Sequence, residues 1–149
     1  MKLDRFKSWH LDLMVWVLTV SALIACAVLE DLTLYKAGVM RHIFYRKMEH
    51  LAGIYSPEML ALHLSLATVL VIYALLRVFT KRATILQASA LIILPGLFVA
   101  ALNSQTLEEL YTYTYILFSL EAGMLAMAAF PLGKDIFQLF SRTSNTKTA

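Results

Sequence analysis

The reading of the fold turns on LYTYTYILFSLEAGMLAMAAFPLG, residues 110–133, an apolar run of 24 residues with a single charge, Glu121. About 20 consecutive apolar residues cross a hydrocarbon core as a helix, so this run reads as a membrane span. Glu121 falls near its midpoint, where an ionised carboxylate costs at least a few kcal/mol by transfer scales, roughly 2.5–3.5 for Asp. The sequence therefore predicts that Glu121 is protonated at neutral pH or faces a polar partner or water rather than lipid.

Outward from this run, three more stretches are long and apolar enough to span, at 13–29, 59–76 and 84–103, with the fourth span at 110–130. The 149 residues are 60% hydrophobic and 15% charged, with mean hydropathy +0.69. Soluble domains carry about 25% charged residues. No remaining stretch is long enough for a separate soluble domain. Backbone polar groups in lipid are satisfied only by helices or closed barrels, and the ten-residue alternation of a barrel is missing. The expectation is one domain: an all-α, four-helix transmembrane bundle.

The basic residues set an orientation. Lys2, Arg5, Lys7, Arg77, Lys81, Arg82, Lys134, Arg142 and Lys147 fall on one side of this topology, and Lys36, Arg41, Arg46 and Lys47 on the other. Nine against four places both termini in the cytoplasm, in what reads as a bacterial inner membrane. Headgroups and topology account for these clusters without nucleic acid. Basic residues, an apolar stretch and Ala25-Cys26-Ala27 also match a signal peptide, and Leu23–Cys26 a lipobox; residues 13–29 are read as a retained span. Cys26 is the only cysteine. No intrachain disulfide is open to it.

Between the first two spans, residues 32–51 hold no proline and one glycine. Val39, Met40, Ile43, Phe44 and Leu51 share one side, which predicts an extracytoplasmic interfacial helix. His42, Arg46 and Glu49 share another face and read as a solvated face with local ion pairs. Ser56-Pro57-Glu58 starts the second span. Thr106-Leu107-Glu108-Glu109 matches a capping box for the fourth, with Thr106 as N-cap, and Pro131 and Gly133 are expected to end it. Residues 141–149 are expected to form a loose tail.

Candidate functional residues follow from depth and chemistry. Pro95 in the third span frees the carbonyl of Leu91. With antiparallel helices Pro95 and Glu121 sit at similar depth, so the Leu91 carbonyl is the first expected partner for Glu121, then Thr19 or Thr68. Ser119, Ala122, Gly123 and Ala126 form a small-residue strip for close helix packing, within an oligomer or with other membrane subunits. His63 is the one histidine inside a span. A haem between helices takes an axial ligand from each, and a second intramembrane histidine is lacking. The acids and histidines around the loop lack the Glu-x-x-His spacing of carboxylate-bridged metal centres, so no metal site is expected.

The layout suits the small subunit of tripartite transporters and the membrane anchors of respiratory complexes alike, and no motif carries either likeness. Nucleophile–base pairs, phosphate loops and dinucleotide fingerprints are missing, which argues against an enzyme. The leading expectation is a membrane subunit of a transport or ion-conducting assembly, with Glu121 handling a proton or cation or bonding helices. The alternatives are an accessory subunit of an electron-transfer complex with quinone or haem near His63, and a purely structural subunit.

Overall fold

A computed structural model describes the backbone of residues 2–80 and 83–146, and the side chains of 9–80 and 83–137. It is an all-α membrane bundle, 90% helical, with four helices long and apolar enough to cross a bilayer. In order these are α1 (Lys2–Tyr35), α2 (Ala37–Ala52), α3 (Pro57–Phe79), α4 (Ile85–Leu102), α5 (Gln105–Glu109) and α6 (Tyr113–Thr146). The spanning portions are Trp9–Tyr35, Pro57–Phe79, Ile85–Leu102 and Tyr113–Phe137.

The chain rises along α1, descends α3, rises along α4 and descends α6. This follows from contacts at both ends: Glu30 of α1 meets the start of α6, and Asp12 of α1 meets Thr84 at the start of α4. α3 and α6 are therefore parallel. Within the bundle 39% of the spanning window of α4 and of α6 is buried, against 17% for α1 and 22% for α3. So α4 and α6 make the centre, with α1 laid mainly on α6 and α3 mainly on α4.

The core pattern is helical in period. α4 buries Gln87, Ala90, Leu91, Leu94, Pro95, Phe98 and Ala101. α3 buries His63, Ala67, Leu70 and Ala74, spaced by four, three and four. That spacing keeps one stripe facing a neighbour at a shallow crossing angle. The outward faces of α1 and α3, with Leu18, Ile24, Val69 and Leu76, stay apolar and exposed, as lipid-facing surfaces are.

α1 holds two acids on helix N-termini at opposite ends of the bundle. Glu30 accepts the N–H groups of Tyr111 (3.2 Å) and Thr112 (2.8 Å) and the Thr112 hydroxyl (2.9 Å). Asp12, 3% exposed, accepts from the hydroxyl of Thr84, the N-cap of α4, at 3.0 Å. Glu30 takes N–H donors that the start of α6 leaves unpaired, and Asp12 holds the hydroxyl by which Thr84 caps the Gln87 N–H, each carboxylate near the positive end of a helix dipole.

Several boundaries differ from the sequence expectation. α1 runs on through Glu30 and Asp31 to Tyr35, because nothing in residues 2–35 breaks a helix. The interfacial helix is thus 37–52 rather than 32–51, starting after Lys36 turns extended (φ −126°, ψ 99°). At the fourth span the N-cap is Ser104, whose Oγ accepts from Leu107, and it starts only the five-residue α5. Leu110 then leaves the helix (ψ 141°) and α6 begins at Tyr113. Lys47 satisfies the open carbonyls of Glu108 and Leu110, as Glu30 satisfies the following donors. The break is held by distant groups, which the capping box could not reveal. Pro131 lies inside α6, buried, and the helix continues to Thr146. Residues 141–146 are therefore helical, and 147–149 lie outside the described residues.

Candidate functional site

Glu121 lies eight residues into α6, about 12 Å from its start. There it turns toward the first two turns of α3. Its Oε1 stands 2.6 Å from Nδ1 of His63, and its Oε2 accepts the Tyr55 hydroxyl at 3.1 Å. Tyr55 comes from the α2–α3 connection, two residues ahead of Pro57. The other ring nitrogen of His63, Nε2, is 3.0 Å from the carbonyl of Ile54. The side chains of His63 and Glu121 are 9% and 12% exposed.

Hydrogen counting fixes the chemistry. A carbonyl oxygen only accepts, so His63 Nε2 carries a hydrogen and donates it to Ile54. Between Nδ1 and Oε1 there must then be one proton, since without it two lone pairs would face each other at 2.6 Å. Held on nitrogen, the proton makes an imidazolium–carboxylate pair; held on oxygen, a neutral imidazole and a carboxylic acid. The unit is neutral in either arrangement. That is how the bundle accommodates a carboxylate inside a span without a cation from the loops.

Aromatic rings wall the site. Tyr55 packs on His63 at 5.1 Å between centroids and on Phe118 at 5.2 Å, and Phe118 packs on His50 at 5.1 Å. His50 in turn lies 3.3 Å by Nδ1 from the hydroxyl of Thr114. Burial first, and the neighbouring Glu121 second, push the Tyr55 phenol well above its ordinary range. It stays a donor to Glu121 throughout any working pH.

The other predicted residues are placed as follows. The Glu121 carboxylate goes to His63 and Tyr55 rather than to the Leu91 carbonyl, Thr19 or Thr68. Leu91 and Pro95 are buried in α4. Thr19 donates to the Val15 carbonyl at 2.9 Å and Thr68 to the Leu64 carbonyl at 2.8 Å, each within its own helix. Of the small-residue strip, Gly123 is buried against Thr19, and Ser119 lies 3.8 Å from Cys26 Sγ, both across the α1–α6 contact. Ala122 and Ala126 remain exposed in a groove of about 430 Å³ between α1 and α6, with Leu18, Ala22 and Phe118. On α2, Arg46 and Glu49 form an exposed ion pair at 2.8 Å, of the kind worth ~1 kcal/mol or less.

Both nitrogens of His63 are engaged, so binding iron there would require either Glu121 or the Ile54 carbonyl to be displaced. Among the described residues no group of three or more His, Cys, Asp and Glu is arranged to hold a metal ion.

Sequence reasoning singled out His63 and Glu121 separately but did not pair them, and it passed over Tyr55. It also passed over Arg77 and Asp135, toward the far end of the same two helices. Arg77 donates to Asp135 Oδ2 at 3.2 Å and to the Tyr73 hydroxyl at 3.0 Å, while Tyr73 donates to Asp135 at 2.9 Å. Arg77 enters the sequence reading only as one of the basic residues that set the orientation, and Asp135 does not enter it. The missed signal was spacing: His63 and Arg77, like Glu121 and Asp135, are fourteen residues apart.

No family model, curated protein or solved structure matches the chain.

Proposed function

We propose that this chain is a subunit of a proton-handling transport or ion-conducting assembly, with the His63–Glu121 pair as its proton site. The observation that carries this reading is the 2.6 Å approach of Nδ1 to Oε1 while Nε2 is committed to Ile54. One proton, shared by two groups of different chemistry in a low-dielectric wall, is what a site that loads and releases protons requires. Tyr55 orients the carboxylate, and the Ile54 carbonyl fixes the imidazole tautomer.

The nine-to-four distribution of basic residues supports cytoplasmic termini, with α2 on the opposite face of an inner membrane. The groove carrying Ala122 and Ala126 suits a helix of another copy or subunit. An accessory role around a haem at His63 is less well supported, because it requires breaking one of the two bonds that hold the ring.

The test is infrared difference spectroscopy across a pH jump on protein in nanodiscs, with proton flux measured in liposomes. A protonated-carboxyl band should change with pH and vanish in Glu121→Gln, and that variant should lose flux at unchanged expression and size. A band and a flux unaffected by Glu121→Gln would overturn the reading in favour of a structural role.

A further inference from the structure

The polar contacts between α3 and α6 form two sets of the same make-up, and we infer that they act as a latch and a hinge for a tilt of α3. Near the α2 end the set is His63, Glu121 and Tyr55; toward the far end it is Arg77, Asp135 and Tyr73. In each, the base comes from α3, the acid from α6, and a tyrosine hydroxyl donates to the acid. The fourteen-residue spacing is the same on both helices, which run parallel, so the sets lie about 21 Å apart along the seam.

Between the two sets the buried face of α3 is Ala67, Leu70 and Ala74, none with a hydrogen-bonding side chain. α4, against which α3 mainly packs, has no charged or titratable residue between Ile85 and Leu102. Side-chain bonds thus join α3 to α6 only at the two sets, among the described residues.

The two sets respond differently to protons. A guanidinium keeps its charge at every working pH, so the Arg77–Asp135 bond persists wherever Asp135 is ionised. The His63–Glu121 bond needs a proton between Nδ1 and Oε1. Without it two lone pairs oppose each other, whereas a second proton goes to Oε2 and leaves Oε1 able to accept from Nδ1. Other titratable groups facing this pair are few. Tyr55 donates to Glu121, and Tyr113 lies beyond it; His50 of α2 is bonded to Thr114, and Glu30 of α1 is taken by the start of α6. The release is therefore governed by the shared proton. Once it occurs, α3 swings at its His63 end about the Arg77–Asp135 pair, opening the seam beside Ala67. This device rests on the proposed proton exchange at His63 and Glu121 and supplies its structural output.

Double electron–electron resonance tests it, on full-length protein in nanodiscs in a Cys26→Ser background. Spin labels at Leu62 and Leu125 report the latch end, and labels at Leu76 and Phe137 the hinge end; all four positions are exposed. The pH is taken from about 4 to about 9, which spans carboxylate and imidazole titration. The latch-end distance should lengthen by roughly 4 Å at the alkaline extreme, where the shared proton is lost, as a tilt of about ten degrees over that lever gives. The hinge-end distance should stay fixed. Glu121→Gln should hold the short distance throughout, because its amide donates to Nδ1 and accepts from Tyr55. His63→Ala should give the long distance throughout; should it fail to fold, the wild type and Glu121→Gln still decide. A latch-end distance independent of pH in the wild type, or equal movement at both ends, overturns the hinge. If the carboxyl band and flux still depend on Glu121 in that case, the proton site stands without it. If they do not, the proton reading falls by its own test.

Discussion

Gly123 faces Thr19 across the α1–α6 contact so closely that a Cβ built there would lie 2.6 Å from Thr19 Oγ1 and 2.9 Å from its Cγ2. The Leu94 methyl beyond, at 3.4 Å, is in ordinary contact. A methyl at residue 123 therefore has to push Thr19, whose Oγ1 is already committed to the Val15 carbonyl. Gly123→Ala should destabilise by roughly 1–3 kcal/mol, the usual cost of overpacking. Thr19→Ala removes both clashing atoms, so the double variant should recover most of that loss. Thermal unfolding in detergent, followed by circular dichroism, measures both.

The same strip separates folding from assembly. Ala122 and Ala126 line the open groove, where a larger side chain has room. Ala126→Leu should leave the unfolding temperature of the isolated chain within experimental error. If a second helix docks there, the variant should shift the size-exclusion profile to smaller species; an unchanged profile would place the assembly surface elsewhere.

Glu30 gives a prediction about a helix start. Its two oxygens take three donors from Tyr111 and Thr112. Glu30→Gln replaces one acceptor oxygen by an amide that faces those donors, and removes the charge at the helix dipole. The loss should be about 1–2 kcal/mol, in line with caps of this kind. Hydrogen exchange should show it first at the amides of residues 111–116, ahead of α3.

Removal of one partner from each α3–α6 set should cost more than removal of both. His63→Ala leaves a carboxylate inside the bundle with only Tyr55, and breaking a buried pair in this way costs ~3–5 kcal/mol. The double variant His63→Ala with Glu121→Ala should be the milder lesion. A double-mutant cycle in denaturant, with coupling of at least about 1 kcal/mol, is the expected outcome. Additive effects would show that the pair does not act as a unit.

Tyr55 sets an alkaline limit. Its phenol is pushed up in the folded state, chiefly by burial, so the folded chain holds that proton more tightly than the unfolded chain. The stability linked to it is fully present below the unfolded value of about 10 and is lost as the pH climbs above it. Wild-type stability should fall in that window, and Tyr55→Phe should flatten the fall. Equal slopes in both proteins would assign the alkaline loss to other groups.

Hydropathy along the chain is enough to settle the class of object and most of its helices. Four apolar runs forced four spanning helices, because lipid offers the backbone no other partner. The sequence also marked Glu121 as a costly residue in need of a partner and His63 as the one histidine inside a span. What it left open was azimuth: hydropathy places a residue at a depth but does not say which neighbour its side chain turns to. The pairing of Glu121 with His63 and Tyr55, and not with the Leu91 carbonyl, follows from a parallel α3–α6 seam that only the packed bundle defines. Pro131 was misleading for a related reason, since the helix that runs through it is held on both sides of the proline by tertiary contacts. The break at Leu110 likewise belongs to the tertiary structure. Its open carbonyls are met by Lys47 and the donors that follow by Glu30, both more than sixty residues away.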